Sequence, residues 1–463
     1  MRNSAPMPAT LSMPTDARDT VRDERSWPST ALEWSGNGAL VVVIAAWAVV
    51  LALLLRHRVW ASHDTMISYA HVWYISQRLW HGHGLPVRMP VLAHGQAFAY
   101  PYGFVPWTTA ALFRPLLGDW VVTLWLVVGA VGTAIATFYA FPELRPNWWA
   151  VAALVNPALI AGPLNGQLPF LWASALLLIA IGCWRRERRV ATIVFAALAQ
   201  ITHPAVLMPI AAVLVLVWLP WERNRRGLVT AYLWSVVFAL PAAYFVLRSP
   251  VFVESSFATK LGNFFSTVGP RCLIIAIPVL LVVARRNLRE WVAPLAVAAL
   301  VAANLAMWPP MGIPQAWRWL VHKQDPDVEA FVQTPAFMPG ATYRLLLTSN
   351  GKHGEYIFLR HGARLDSEFF PESMAIQNWS SVRAYSDALL SRHVDYVMDW
   401  HAYDRRWKTN EHTMLTRLAQ VSPQACASHL VNVHRVVTNP RYDVYAVDRS
   451  CARSSRSLGL SSP

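Results

Sequence analysis

Apolar and polar positions divide the chain into three stretches of different texture. Residues 1–37 are polar, rich in Ser, Thr, Pro and mixed charge. Such a segment cannot bury enough apolar surface to fold, and we expect a disordered cytosolic tail. Between residues 38 and 307 long apolar blocks follow one another, the clearest at 38–55, 120–141, 168–184 and 228–247. Each approaches the ~20 residues that cross a hydrocarbon core of ~30 Å. Shorter blocks lie at 147–163, 190–221 (folded back at His203-Pro204), 272–284 and 291–307. Together they predict about nine spans. From residue 308 to 463 charges return, with β-like runs at 343–348, 356–360, 394–398, 430–437 and 442–447. Helical patterns at 380–392 and 409–420 alternate with them, which predicts a small α/β domain with a disordered C-terminal tail. Thr438-Asn439-Pro440-Arg441 reads as the turn of its closing hairpin.

Composition narrows the class. Of 463 residues, 55% are apolar and only 14% are charged, against roughly 25% charged in soluble domains. An ordinary soluble protein and a disordered one are both excluded; the reading is an α-helical polytopic membrane protein. The net charge of +14 does not indicate nucleic acid. Arginines cluster between apolar blocks, at 185–189, 223–226 and 285–289, as cytoplasmic loops do. The 23 Trp suit the membrane–water interface. The first apolar block starts too late and runs too long for a cleavable signal sequence.

With the arginine clusters held on the cytoplasmic side, residues 56–119 become one large external loop. The stretch 103–118 is tempting as a span, but Pro106, Arg114 and Pro115 interrupt it. Counting it would also invert the arginines, so we expect an interfacial helix. Residues after 308 then lie outside. Cys426 and Cys451 flank the hairpin there, either as a disulfide or as two free thiols. Cys183 and Cys272 read as small core residues of spans.

Acidic residues are scarce enough to be informative. Away from the arginine clusters, residues 38–307 hold only Asp64, Asp119, Glu143 and Glu254. Glu143 falls on the cytoplasmic side, and Asp119 is expected to cap or anchor the span after it. Asp64 is the sole carboxylate inside the first loop, at the start of an amphipathic helix expected to lie along the membrane. On spacing it reads as that helix's N-cap. Histidines gather nearby (His57, His63, His71, His81, His83 and His94). They are ordinary interfacial residues or, with Asp64, ligands to a divalent metal; no metal site is assigned. Outward-facing Lys260 and Arg271 could grip a phosphate, as other cations there meet lipid headgroups. The run 399–407 carries Trp400 and Trp407 among charges, which suits sugar stacking or an ordinary surface loop.

One span followed by a large external loop opening on Ser62-His63-Asp64 resembles the GT-C superfamily of membrane glycosyltransferases. Tyr100-Pro101-Tyr102-Gly103 is similar to the Tyr-Pro-Pro segment of those enzymes. Asn156-Pro157 and Asn165-Gly166-Gln167 resemble elements of bacterial mannosyl- and arabinosyltransferase-like members. The resemblance implies transfer of a sugar from a polyprenyl phosphate to an acceptor hydroxyl of a glycan, lipid or protein, outside a bacterial plasma membrane. It implies no cofactor. It puts the general base on Asp64 and lines the cavity with His63, Tyr100, Asn165, Gln167 and His203. A single base fits an inverting displacement, because a retaining one uses two carboxylates. The rival reading is a non-catalytic scaffold, lipid-binding or transport protein of the same architecture. Ion-coupled transport is disfavoured, since the spans hold almost no ionisable residue besides His203.

Overall fold

The computed structural model describes residues 65–86, 88–92, 103–145, 147–247, 268–288, 291–306, 326–346, 351–366, 378–401, 410–421 and 429–450, with scattered helical positions between 38 and 49. The elements in chain order are helix α1 (Thr65–Trp80), α2 (Phe104–Leu117), α3 (Trp120–Ala140), α4 (Asn147–Leu154), α5 (Pro157–Leu164), α6 (Leu168–Trp184) and α7 (Arg189–Thr202). Then come α8 (Pro204–Trp218), α9 (Arg225–Leu247), α10 (Leu273–Asn287) and α11 (Val292–Ala306). The remainder is mixed: α12 (Pro326–Val332), β1 (Thr342–Leu345), α13 (Gly351–Arg360), β2 (Arg364–Leu365), α14 (Val382–Ser391), β3 (Tyr396–Trp400), α15 (Glu411–Val421), β4 (Asn432–Thr438) and β5 (Tyr442–Asp448).

Helices α3 to α11 form a bundle. Among the described residues α3 is one helix long and apolar enough to cross a membrane, with 21 residues and a mean hydropathy of 2.1. Its neighbours α6, α7, α8 and α11 are apolar but shorter. Large apolar side chains face outward, including Leu216, Phe238, Leu280 and Leu295, each more than half exposed. Close helix contact depends on small residues. A Cβ on Gly182 would fall 2.3 Å from the Tyr139 ring, and one on Gly129 2.8 Å from Trp172.

The block 147–163 is two helices rather than the one span expected. Pro157 has no N–H to continue a helix, and Asn156 caps the second piece, its Oδ1 accepting from Ala158 N at 3.0 Å. The break is supported from outside: Asn304 Nδ2 of α11 donates to Val155 O at 2.8 Å, and Asn156 Nδ2 donates to Leu273 O at 2.9 Å.

The strands form one sheet in the order β2-β1-β3-β5-β4. The β2, β1 and β3 ladders are parallel, while β5 runs antiparallel to β3 and β4 antiparallel to β5. The hairpin at 438–441 is present, its turn held by Arg441 N donating to Asn439 Oδ1 at 3.0 Å. One expected strand, 356–360, is instead the end of helix α13. Tyr356, Ile357, Phe358 and Leu359 are all buried, and a short run buried all round has no period to distinguish helix from strand.

Helix α1 is wedged between the bundle and the sheet unit. Tyr69 stacks on Tyr356 of α13 at 5.4 Å and hydrogen-bonds Thr123 of α3 at 2.8 Å, while His71 stacks on Trp107 of α2 at 4.1 Å. One hydrophobic core therefore runs continuously from α2 and α3 through α1 to α13 and one face of the sheet. The segment after α1 joins the sheet edge, where Leu365 N donates to Val91 O at 2.9 Å. The stretch 104–117 forms the short helix expected, with Leu112, Phe113 and Leu116 left exposed.

Candidate active site

The two ends of the bundle differ in chemistry. At one end the arginine clusters come together. Glu143, just after α3, is held bidentately by Arg185, with Nη1 at 3.0 Å, and by Arg286 at 3.3 Å. Glu222, beside the third cluster, accepts from Trp184 Nε1 at 2.8 Å. Burial pushes the Glu143 carboxyl up, but the Arg185 hydrogen bonds, a backbone hydrogen bond and the charges of Arg185 and Arg286 together outweigh it and hold the group below the usual carboxylate range.

At the opposite end of α3 stands Asp119. Its side chain makes no helix cap; it accepts from Tyr356 Oη at 2.6 Å, Arg114 at 3.0 Å and Arg360 at 3.3 Å. Asp119 therefore anchors the sheet unit to the bundle, because two guanidinium groups and a phenol offer more than a frayed helix start. Its hydrogen bond and burial raise the Tyr356 phenol well above its ordinary value, burial being the larger cause.

Near this end several helix termini converge. Helix α5 closes in a Schellman motif: Gln167 N donates to Gly162 O at 2.9 Å and Gly166 N to Pro163 O at 3.1 Å. The motif requires positive φ at its centre, which Gly166 supplies with φ 71°. This turns Asn165 and Gln167, 1% and 3% exposed, to the start of α6. His203 breaks α7 from α8, with Pro204 opening the next helix. Phe170, in the first turn of α6, links the cluster: His203 meets its ring edge-on at 6.4 Å, and the Arg271 guanidinium lies 5.7 Å from its centroid. The end of α7 is also tied to the first loop. Gly103 N donates to Thr202 O at 2.7 Å, and with φ 76° and a Cβ position 2.4 Å from Trp107 this residue must be glycine.

The structure thus gathers Asn165, Gln167, His203 and Arg271 from three separate parts of the sequence. Asp64, His63, Tyr100 and Lys260 lie outside the described residues. So do Cys426 and Cys451, and His57 and His94. Asp64 immediately precedes Thr65, which is fully buried, and Tyr100 stands three residues before the Gly103 anchor. Phe170, Thr202 and Asn156 were not among the expected site residues. Asn156 carried a signal in its Asn-Pro pair, whereas Phe170 and Thr202 carried none. The Gln167 Oε1 and Thr202 Oγ1 atoms are buried without a hydrogen-bond partner, an arrangement that costs free energy unless a ligand completes it. Among the described residues no group of three or more His, Cys, Asp or Glu could hold a metal ion; His81 and His83 are exposed and His71 is buried under Trp107.

No family model matches the sequence, and no curated protein matches it either. Solved structures do match. ArnT from Cupriavidus metallidurans, solved bound to undecaprenyl phosphate, is similar over 90% of this chain and 99% of its own, with a TM-score of 0.51 and 14% identity. The chain has the GT-C fold. The archaeal oligosaccharyltransferase AglB from Archaeoglobus fulgidus, solved with an inhibitory peptide and a dolichol-phosphate, matches 84% of this chain and 71% of its own, with a TM-score of 0.48 and 9% identity. The GT-C fold is a membrane fold, in keeping with the outward-facing apolar side chains of this bundle.

Proposed function

We propose that the chain is an inverting glycosyltransferase that moves a sugar from a polyprenyl phosphate to an acceptor hydroxyl. In this reading residues 38–307 form a multi-pass domain of about nine spans in a bacterial plasma membrane. The arginine-rich end faces the cytosol, and residues 308–463 form an extracytoplasmic domain over the other end. Asp64 takes the proton from the acceptor hydroxyl as that oxygen bonds to the anomeric carbon and the bond to polyprenyl phosphate breaks. The leaving phosphate carries the displaced electron pair, and Arg271 with Lys260 stabilises its charge. His63, Tyr100, Asn165, Gln167 and His203 orient the two substrates. No step uses a metal.

The observation that supports this most is the convergence of His203 and Arg271 on Phe170, three residues after the buried Gln167. Buried polar atoms stand there beside a cation at a helix-end junction, in a fold seen elsewhere with undecaprenyl phosphate bound. The test is turnover of a labelled polyprenyl-phosphate sugar by purified protein. Asp64→Asn is expected to lower turnover by about 10²–10⁴-fold with donor retention unchanged. Equal turnover in wild type and variant would remove Asp64 from the mechanism.

A further inference from the structure

A second ligand-binding feature lies at the far end of the bundle from the candidate site. Between α6, α7, α8 and α9 runs a half-open crevice, walled by Leu177, Trp184, Ala196, Trp218 and Ala231 among others. Helix α6 starts at the candidate site and walls the crevice from Leu177 to Trp184, roughly 13 to 24 Å further along at 1.5 Å per residue. The crevice is therefore separate from the glycosyl-transfer chemistry.

The surface of the crevice is wholly apolar, and the reason is local. Three hydroxyl residues stand on its walls, Thr192, Ser235 and Tyr232, and the first two spend their polar atoms elsewhere. Thr192 Oγ1 donates to Arg188 O at 3.1 Å. Ser235 Oγ donates to Tyr232 O at 2.7 Å and accepts from Gln200 Nε2 at 2.7 Å. The Trp184 indole N–H is taken by Glu222. Water would find no partner there, whereas a hydrocarbon chain fills such a space without loss. The flanking Val194, Val213, Leu216 and Leu233 are exposed, so the opening gives onto the apolar outside of the bundle.

Charge at the rim selects the kind of lipid. Trp184 and Trp218 mark its end, and beside them Arg188, Arg189, Arg223 and Arg226 are exposed. Of the two nearby acids, Glu222 is already engaged with Trp184 and with Asn224 N, which leaves exposed Glu187 against four guanidinium groups. Guanidinium forks match phosphate oxygens. We infer that this crevice is a binding site for an anionic phospholipid, with one acyl chain between α6, α7, α8 and α9 and the headgroup on the α7 and α9 starts. The inference requires only that the bundle sits in a bilayer, and it stands independently of the role of Asp64.

The test uses the full-length protein, delipidated in detergent and titrated by native mass spectrometry with palmitoyl-oleoyl phosphatidylglycerol or phosphatidylcholine. Wild type is expected to retain one phosphatidylglycerol at least about tenfold more tightly than phosphatidylcholine. Replacing Arg188, Arg189, Arg223 and Arg226 by Gln should erase that preference. Filling the crevice with Ala196→Phe and Ala231→Phe should remove the tightly held lipid of either kind. Equal retention of the two lipids by wild type, or a preference that survives the arginine changes, overturns the assignment. The arginines are exposed, so that arm decides the matter even where the filled variant does not fold. Undiminished retention by a folded filled variant overturns the chain's placement.

Discussion

Two buried polar clusters in this molecule have opposite character. In the sheet unit, Arg344 is buried between Asp366 and Glu411, with Arg392 3.6 Å from Asp366: two cations, two anions, each charge answered from within the chain. At the helix-end junction, Gln167 Oε1 and Thr202 Oγ1 are buried and unanswered beside a histidine and an arginine. Closed clusters hold a fold together, because removing one member strands the others in low dielectric. An incomplete cluster weakens the fold slightly and is the kind of place where a ligand gains by binding. On the proposed function, the first cluster serves structure and the second serves chemistry.

The largest effect should come from opening the closed cluster. Arg344→Met leaves buried Glu411 without its cation and Asp366 with Arg392 alone, and should destabilise the sheet unit by about 3–5 kcal/mol, seen as early loss of protease resistance on heating. The incomplete cluster should respond in the reverse sense. Thr202→Val removes an unpaired hydroxyl, and Gln167→Leu removes an unpaired amide oxygen. Stability should stay within about 1 kcal/mol of wild type, while sugar transfer falls by tenfold or more. If both substitutions destabilise strongly and leave transfer intact, the contrast fails.

Smaller effects sharpen it further. Glu143→Gln, at the arginine-rich end, touches a pair one-quarter exposed on each side. It should cost about 1 kcal/mol or less and leave transfer unchanged. The smallest effect is a pH response on the sheet unit's surface. The Asp399 carboxylate hydrogen-bonds His412 at 2.7 Å and raises its pKa, against a smaller opposing effect of burial. A histidine whose folded pKa is raised contributes stability that is complete below its unfolded value of about 6.5. That contribution is lost as pH rises through the raised value. Warming curves taken from pH 6 to pH 8 should show a small fall in midpoint that His412→Gln abolishes. The effect is modest because the imidazole is half exposed.

Much of the fold was legible from the pattern. The helix Leu168–Trp184 has the ends its apolar block has, and α3 differs from its block by one residue. The strands β3, β4 and β5 and the hairpin turn fall where alternation and turn residues put them. The helix α13 did not, since burial on every side erased its period. The break at Asn156 was visible as an Asn-Pro pair, but the block around it is apolar throughout, so hydropathy alone ran the two helices together. Asp119 was expected to cap or anchor the helix it precedes; two of its partners, Tyr356 and Arg360, lie more than two hundred residues later in the chain.

Sequence alone determined what is local and repetitive: where apolar runs are long enough to bury or span, where proline and glycine end a helix, and that arginines alternate with those runs. These are properties of a few neighbouring residues, and backbone geometry and transfer free energy act on them directly. Only the tertiary structure decided that α1 is wedged between bundle and sheet, that Phe170 brings His203 and Arg271 to the same ring, and that four helices enclose the apolar crevice. Those outcomes depend on contacts between residues far apart in the chain, and the energy of each contact exists only once the packing has formed.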